Sequence, residues 1–274
     1  MTIEKFLASM PYSPATRSAY CRALSDLERT FPDLAALTAA DLLGFVERPT
    51  WGNSQRYVTV TACKTFLRWR FGADHPALAA RVRRRKSRRQ RSLSSAEALR
   101  LLAHFDSYRP KGARDLAICC LALDTGLRAS ELCRLKLADL DLEKRSLQVI
   151  VKGGQWGFGV YSDGTRAALD RWLSLRDSPV GAPTVFVSTR GGRPLTREGL
   201  QTIVKKWGLE LGIKLSPHDL RRSFATLATT FGAPTRLVQE AGRWSTIEMV
   251  EHYTRNLDPL AITPYLPVSR LLEG

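Results

Sequence analysis

The chain has 274 residues and a formal net charge of +16, and 44% of its residues are hydrophobic. This length accommodates one large domain or two modest ones, and so positive a charge is typical of proteins that bind a polyanion. No stretch approaches the roughly 18 apolar residues of a membrane span, and MTIEKFLASM lacks the layout of a signal peptide, so we expect a cytoplasmic protein with no membrane partner.

Residues 1–80 predict a small helical domain. Ser13-Pro14 marks the start of a helix over ATRSAYCRALSDLERTF, and Thr38 caps a second one, DLLGFVER. A third helix is expected over 53–71, with a face that carries Arg56, Tyr57, Lys64, Arg68 and Arg70.

Residues 81–92 are expected to form a basic linker between two domains. RVRRRKSRRQR is the most charged stretch of the chain, and it has no hydrophobic pattern beyond Val82 that could pack into a core. Ser94 and Glu97 then have capping-box spacing, so they should open the first helix of a second domain, 93–274.

The segment DTGLRASEL places an arginine at a turn between two helices. Residues 113–124, ARDLAICCLALD, form an apolar helical run that a Thr-Gly pair ends, and a new helix begins near Glu131. Arg128 lies between the two helices, where Glu131 can orient its guanidinium group by an ion pair.

A β-hairpin is expected next. Residues 146–151, SLQVIV, are rich in β-branched residues, and WGFGVYS reads as the return strand. Lys152-Gly153-Gly154 would form the turn, from which the lysine can reach a phosphate group or a base edge.

The segment SPHDLRRSFAT predicts a helix with two functional side chains near its start. Ser216 and Pro217 suit the N-cap and the first helical position. His218 and Arg221 then lie three residues apart on one face, near the positive end of the helix dipole.

A short helix over 234–241 should end at Gly242. Ser245 and Glu248 again have capping-box spacing, which predicts that another helix begins there. Tyr253 would lie at or just past the end of that helix, where a nucleophile can move toward a substrate or away from it.

The cysteines argue against a disulfide framework or a zinc site, because their number is odd and no CxxC pair occurs. Since they lie among apolar residues, we expect reduced thiols in the hydrophobic core. The five are Cys21, Cys63, Cys119, Cys120 and Cys133.

Taken together, these residue types suit metal-free attack on a DNA phosphodiester. The transition state spreads negative charge over the phosphate oxygens, and preorganised arginine groups stabilise that charge. A tyrosine can act as the covalent nucleophile, and a lysine or histidine can protonate the leaving 5′ oxygen.

The motifs resemble those of the tyrosine recombinases, the phage-integrase and Xer/Cre-type site-specific recombinases. TGLRASEL is similar to the family's first-arginine motif, HDLRRSFAT to its His-x-x-Arg motif, and AGRWSTIEMVEHYTR to its nucleophile segment. VFVSTRGGRPLTREGL is similar to the stretch that precedes the His-x-x-Arg helix. The order and spacing of the motifs are specific, and the resemblance covers essentially the whole chain.

The resemblance implies a role for each matching residue. Arg128 and Arg221 would clamp the scissile phosphate. His218 would act as a general acid/base partner or phosphate donor, and Trp244 would donate its indole N–H and pack beside the site.

Lys152 would protonate the 5′ leaving oxygen, and Tyr253 would form the 3′-phosphotyrosyl bond. This chain departs from the family pattern in three places. Arg222 occupies the place of a second histidine, Arg243 stands where a glycine is commoner, and KGGQWGFG lacks the basic and proline residues that often follow the lysine.

The resemblance also implies a fold and an assembly. The fold is mainly α with a small antiparallel β-sheet, in which a helical N-terminal core-binding domain and a mixed α/β catalytic domain form a C-shaped clamp on DNA. The partner is double-stranded DNA, on which four protomers join two sites, with or without accessory proteins. No metal, ATP or other cofactor is implied.

Two alternatives stay open at the level of sequence. Type IB topoisomerases use a similar set of arginine, lysine, histidine and tyrosine to relax DNA without exchanging partners. A non-catalytic relative that only binds DNA is the other. Integration, excision, resolution and inversion are equally compatible with the sequence, and so are many target sites.

Overall fold

The structure is a computed structural model that describes residues 2–82, 91–151, 154–177 and 183–254, with the backbone alone for 252–254. The chain divides into two compact units, Met1–Arg89 and Gln90–Gly274. Helices dominate both units, and a small antiparallel sheet lies in the second, so the predicted fold class is confirmed. No helix in these described ranges is long and apolar enough to cross a membrane.

The first unit packs its helices around an aromatic and aliphatic core that includes the fully buried Phe6, Leu24, Leu42 and Phe66. Its caps explain where the helices begin: Ser13 accepts from the backbone of Thr16, and Thr38 forms a capping box with Asp41. The helices are α1 (Ile3–Ser9), α2 (Pro14–Thr30), α3 (Ala39–Val46) and α4 (Asn53–Phe71), followed by a short 3-10 helix, Pro76–Ala79.

The second unit begins at the predicted capping box. Ser94 and Glu97 exchange hydrogen bonds between their side chains and backbones, which starts α5 (Ser95–Ala103). The remaining elements are α6 (Pro110–Thr125), α7 (Ala129–Arg134), a 3-10 turn (Leu137–Asp139), β1 (Leu140–Asp141), β2 (Ser146–Ile150), β3 (Trp156–Val160), α8 (Asp163–Leu175), α9 (Arg197–Glu210), α10 (Pro217–Thr230), α11 (Thr235–Ala241) and α12 (Glu248–Thr254).

The sheet has the order β1-β2-β3 and is antiparallel throughout. β2 and β3 pair from Ser146 opposite Val160 to Ile150 opposite Trp156, which confirms the predicted hairpin strands. The predicted turn residues Lys152 and Gly153 lie outside the described residues.

Two expectations about single positions are wrong. Cys21 is exposed on α2, so it is not a core thiol, whereas Cys63, Cys119 and Cys133 are buried. α12 begins at Glu248, later than the predicted capping box would place it. The Ser245 hydroxyl lies 3.8 Å from the Met249 sulfur, and the carboxylate of Glu248 hydrogen-bonds with Thr246.

The predicted basic face of α4 is also wrong for Arg56 and Arg70. Arg56 is buried and its guanidinium lies 2.7 Å from Glu47, while Arg70 pairs with Glu28 at 3.2 Å. Tyr57, Lys64 and Arg68 do share one side of the helix and line one cleft with Arg81. The helical period explains the difference, because Tyr57, Lys64 and Arg68 recur at the spacing of one face and the other two do not.

Candidate active site

Gly126 ends α6 and sets the direction of the chain toward Arg128. Its φ of +59° lies in the left-handed region, and a Cβ there would meet the Phe224 ring at 2.5 Å. Two separate constraints therefore select glycine at this position: the left-handed backbone and the close approach of α10. The turn delivers Arg128 to the N-cap of α7.

Arg128 is held by the carboxylate of Glu131, as the sequence predicted. One Glu131 oxygen accepts from the Arg128 backbone nitrogen at 2.8 Å, and the other accepts from the guanidinium at 2.7 Å. The Glu131 side chain is buried, whereas that of Arg128 is about one-third exposed. The Arg128 guanidinium thus reaches the surface while the buried Glu131 carboxylate fixes its orientation. Such preorganisation favours phosphate binding.

Arg221 lies on α10 and is almost fully buried, at 2% exposure. Its guanidinium donates to the carbonyl oxygen of Gly126 and, at 2.7 Å, to that of Gly242. The Trp244 ring lies 4.4 Å from the guanidinium carbon. These contacts fix one face and two edges of the group, since a planar fork can bond two carbonyls and stack at once.

His218 lies in the first turn of α10, one helical turn before Arg221. Burial lowers the pKa of His218, and the positive charges of Arg222 and Arg221 lower it further. The imidazole is therefore held in its neutral form at neutral pH, in which one ring nitrogen can accept a proton.

Arg128, His218 and Arg221 line one open cavity of about 420 Å³. Helices α7, α9 and α10 all begin at this cavity, and the positive ends of helix dipoles favour an anion. None of the described residues that line it is acidic. The arrangement can bind a phosphodiester and stabilise added charge on its oxygens.

Arg197 and Gln201 also line this cavity, and no sequence argument had singled them out. Arg197 is the first residue of α9, whose N-cap is Thr196. The Thr196 cap signal was present in PLTREGL and predicts a helix start, but only the tertiary packing shows that this start lies beside α10.

Trp244 lies behind Arg221 and is not one of the cavity's lining residues. It is 5% exposed and stacks on Phe224, with the ring centres 6.1 Å apart. Its ring fills the place where a Cβ of Gly242 would lie, at 1.8 Å from the nearest ring atom. The tryptophan therefore packs against the Arg221 guanidinium on the side away from the cavity.

Tyr253 belongs to α12, whose Val250 is fully buried in a small core with Phe224, Val238 and Trp244. This packing places the helix that carries the tyrosine beside α10. The side chain of Tyr253 lies outside the described part of the structure, as does Lys152 altogether. Of the backbone on either side of Lys152, the Val151 nitrogen donates to the Gln155 carbonyl oxygen at 2.8 Å.

Two of the departures from the family pattern are integrated into the structure. Arg222 forms an ion pair with Asp219 at 2.8 Å beside His218. Arg243 has a φ of 57° and a side chain that is 7% exposed. Neither is a loosely held surface arginine.

A second cationic surface lies on the first unit. Lys64, Arg68 and Arg81 line one cleft, and Tyr57 contributes an exposed aromatic ring. Partial burial and the charges of Arg68 and Arg81 lower the pKa of Lys64. Clustered cations with an accessible ring suit a nucleic-acid backbone.

The chain matches the phage integrase family over residues 91–259. The tyrosine recombinase XerC of Actinobacillus pleuropneumoniae is 33% identical over 183 residues, which cover 66% of this chain and 59% of that protein. The tyrosine recombinase XerC of Xanthomonas campestris pv. campestris is 31% identical over 270 residues, which cover 92% of this chain and 83% of that protein.

Among solved structures, the Tn1549 transposon integrase in complex with circular intermediate DNA superposes with a TM-score of 0.78. The match covers 99% of this chain and all of that one at 17% identity, so it shows the shared fold. Sequence and fold agree, and the chain belongs to the phage integrase family of tyrosine recombinases.

Proposed function

We propose that this tyrosine recombinase cuts and rejoins double-stranded DNA at a specific site through a covalent bond to Tyr253. The tyrosine oxygen attacks phosphorus and the bond to the 5′ oxygen breaks, which leaves a 3′-phosphotyrosyl bond and a 5′ hydroxyl. A 5′ hydroxyl from a partner strand reverses the step. The phosphotyrosyl bond conserves the energy of the broken bond, so the cycle consumes no ATP.

The single observation that carries the proposal is the cavity shared by Arg128, His218 and Arg221. Arg128 comes from the start of α7 and the other two from α10, yet all three face one open site beside the helix that bears Tyr253. Arg128 and Arg221 bind the non-bridging oxygens and stabilise the pentavalent transition state. Removing one such donor from an active site typically costs about 10²–10³-fold in rate.

Two proton transfers accompany the bond changes. The neutral imidazole of His218 accepts the proton of the Tyr253 hydroxyl, and Lys152 gives a proton to the departing 5′ oxygen. The lowered pKa of His218 supports its part, because a protonated ring has no acceptor nitrogen. Trp244 supports Arg221 and donates its indole N–H toward the phosphate when DNA is bound.

The domains of the chain have separate roles in DNA binding and catalysis. Residues 1–80 form the core-binding domain, with the cleft of Lys64, Arg68 and Arg81 as one DNA contact. Residues 81–92 are the basic linker along the DNA backbone, and 93–274 are the catalytic domain. Four protomers assemble on two sites, because an exchange of two duplexes requires four cuts.

The test is covalent trapping on DNA from the protein's own locus, without added metal. The DNA carries a nick just 3′ of the candidate cleavage position, so that the short 5′-hydroxyl fragment diffuses away and the adduct accumulates. Tyr253→Phe removes the attacking oxygen, and Tyr108→Phe is the matched control, since Tyr108 is 81% exposed.

A denaturant-resistant adduct with the wild type and Tyr108→Phe, but not with Tyr253→Phe, supports the proposal. A clear footprint without any adduct would instead indicate a non-catalytic DNA-binding protein. Relaxation of supercoiled DNA of any sequence, with no recombinant product, would indicate a topoisomerase. Crosslinking of the synapsed complex tests the tetramer. A largest crosslinked product that contains only two protomers would contradict it.

A further inference from the structure

Arg243 occupies a backbone conformation that favours glycine. Among the described residues other than glycine, only Arg243 and Arg145 have positive φ, at 57° and 50°. This region is unfavourable for residues with a Cβ, because the Cβ crowds the following carbonyl oxygen. An arginine at this point therefore needs contacts that compensate for the strain.

The guanidinium of Arg243 supplies such contacts by joining three elements. It donates to the carbonyl oxygens of Phe158 at 3.1 Å on β3 and of Ala241 at 2.8 Å on α11. It also donates to that of Thr125 at 2.8 Å, at the end of α6. One planar group thus ties the hairpin to two helices of the active-site region, which a glycine cannot do.

The glycines of β3 make room for this side chain. A Cβ on Gly157 would lie 2.6 Å from the Arg243 Cδ, and one on Gly159 would lie 3.5 Å from its Nη1. Glycine weakens a strand, so its presence in a strand often marks close approach of another group. The glycine-rich WGFG strand and Arg243, both departures from the family pattern, are therefore in contact with each other.

Arg243 also reaches the carboxylate that holds Arg128. Its Nη2 lies 4.0 Å from Glu131 Oε2, and both side chains are more than nine-tenths buried. The opposite end of the guanidinium contacts β3, the strand that begins four residues after Lys152 in the sequence. The side chain therefore bridges the base of Arg128 and the hairpin.

We infer that Arg243 is a positioning residue that fixes β3, the strand that follows Lys152 in the sequence, relative to Arg128. The inference rests on the proposed function, in which Lys152 protonates the leaving 5′ oxygen. Arg243 touches no reacting atom in this scheme. It acts by holding β3 in place, which limits the positions open to Lys152 four residues earlier in the sequence.

The test compares single-turnover cleavage of ordinary DNA with cleavage of DNA that carries a 5′-bridging phosphorothioate. A leaving thiolate needs no proton, so the modified bond bypasses the general acid. Arg243→Gly retains the left-handed backbone and removes the bridge. We expect it to slow cleavage of ordinary DNA by about 10²-fold, the usual effect of an ångström-scale misplacement. Cleavage of the modified DNA should stay close to that of the wild type.

Two further variants separate this role from a general loss of structure. Arg145→Gly relieves the same backbone strain at an exposed ion pair with Asp163, and it should leave both rates unchanged. Arg243→Lys keeps the charge but has no fork to span three carbonyls, so its rate on ordinary DNA should be intermediate. Equal losses on both DNAs, or no loss on either, would overturn the positioning role.

Hydrogen exchange of the free protein checks the anchoring without any activity. Arg243→Gly should speed amide exchange in β3 and leave α8 unchanged. Unchanged exchange in β3 would overturn the anchoring even if cleavage slows. If the wild type forms no adduct with either DNA, the proposed function fails and the catalytic consequence with it, whereas exchange still decides the anchoring.

Discussion

Glu131 accepts two hydrogen bonds from Arg128, one from the backbone nitrogen at 2.8 Å and one from the guanidinium at 2.7 Å. The same carboxylate lies 4.0 Å from Arg243. It is buried, so its charge is little screened by solvent and its partners are held firmly. Glu131 is thus the point at which the geometry of Arg128 is determined.

The first prediction concerns this carboxylate. Glu131→Gln keeps the size of the side chain but removes its charge, so the Arg128 guanidinium loses its fixed orientation. We expect the rate of adduct formation to fall by roughly 10–10²-fold, while DNA affinity changes little because Arg128 keeps its charge. Single-turnover trapping and a binding titration measure the two quantities. Glu143→Gln, at an exposed position, is the control, and an equal loss there would refute the assignment.

The second prediction concerns Gly126. Gly126→Ala adds a Cβ at 2.5 Å from the Phe224 ring and imposes a φ of +59° on alanine. Left-handed strain and overpacking together should lower the free energy of unfolding by about 2–4 kcal/mol. Urea unfolding measures this change.

Gly164→Ala is the matched control for that experiment, because its nearest neighbour is the Ser162 hydroxyl at 3.8 Å. Alanine at this position in α8 should leave stability equal or raise it by up to about 1 kcal/mol. If both substitutions destabilise the protein alike, the close approach of α6 and α10 at Gly126 is not the cause.

The third prediction concerns pH and His218. The pKa of His218 is lowered from 6.5 in the folded protein, so the folded state binds fewer protons than the unfolded state as pH falls below 6.5. Its contribution to stability is therefore present above that pH and is lost as pH falls through the lowered pKa. Unfolding free energies of the wild type and His218→Gln, compared between about pH 8 and pH 5, measure this contribution.

As the pH falls, the unfolding free energy of the wild type should decrease relative to that of His218→Gln. Bound DNA acts in the opposite direction, since a phosphate beside the ring favours the imidazolium form. The affinity of Tyr253→Phe for DNA should therefore rise as the pH falls, and adding His218→Gln should remove part of that rise. A pH response that survives the histidine substitution intact would count against this role.

Local signals made the helix starts predictable from sequence. Ser216-Pro217 and the Ser94-Glu97 capping box act within a few residues, so their effect can be read without the tertiary structure. The Arg243 bridge could not be read in this way, because the arginine and Phe158 are 85 residues apart. Arg56 was misplaced because a buried ion pair and an exposed cation look alike in sequence.

The fourth prediction concerns Arg197, which only the tertiary structure brings to the cavity. As an exposed cation at the start of α9, it should contact a DNA phosphate without reading sequence. Arg197→Ala, in the Tyr253→Phe background, should weaken DNA binding on all sequences and lower the slope of log affinity against log salt by about 1.

The control for Arg197 is Arg190→Ala, which removes the same charge from an exposed position outside the cavity lining. A diffuse electrostatic effect would lower the salt slope equally in the two variants, because it depends on net charge alone. A phosphate contact lowers it in Arg197→Ala and not in Arg190→Ala. Equal slopes for both variants and the parent would show that α9 does not meet the DNA backbone at this residue.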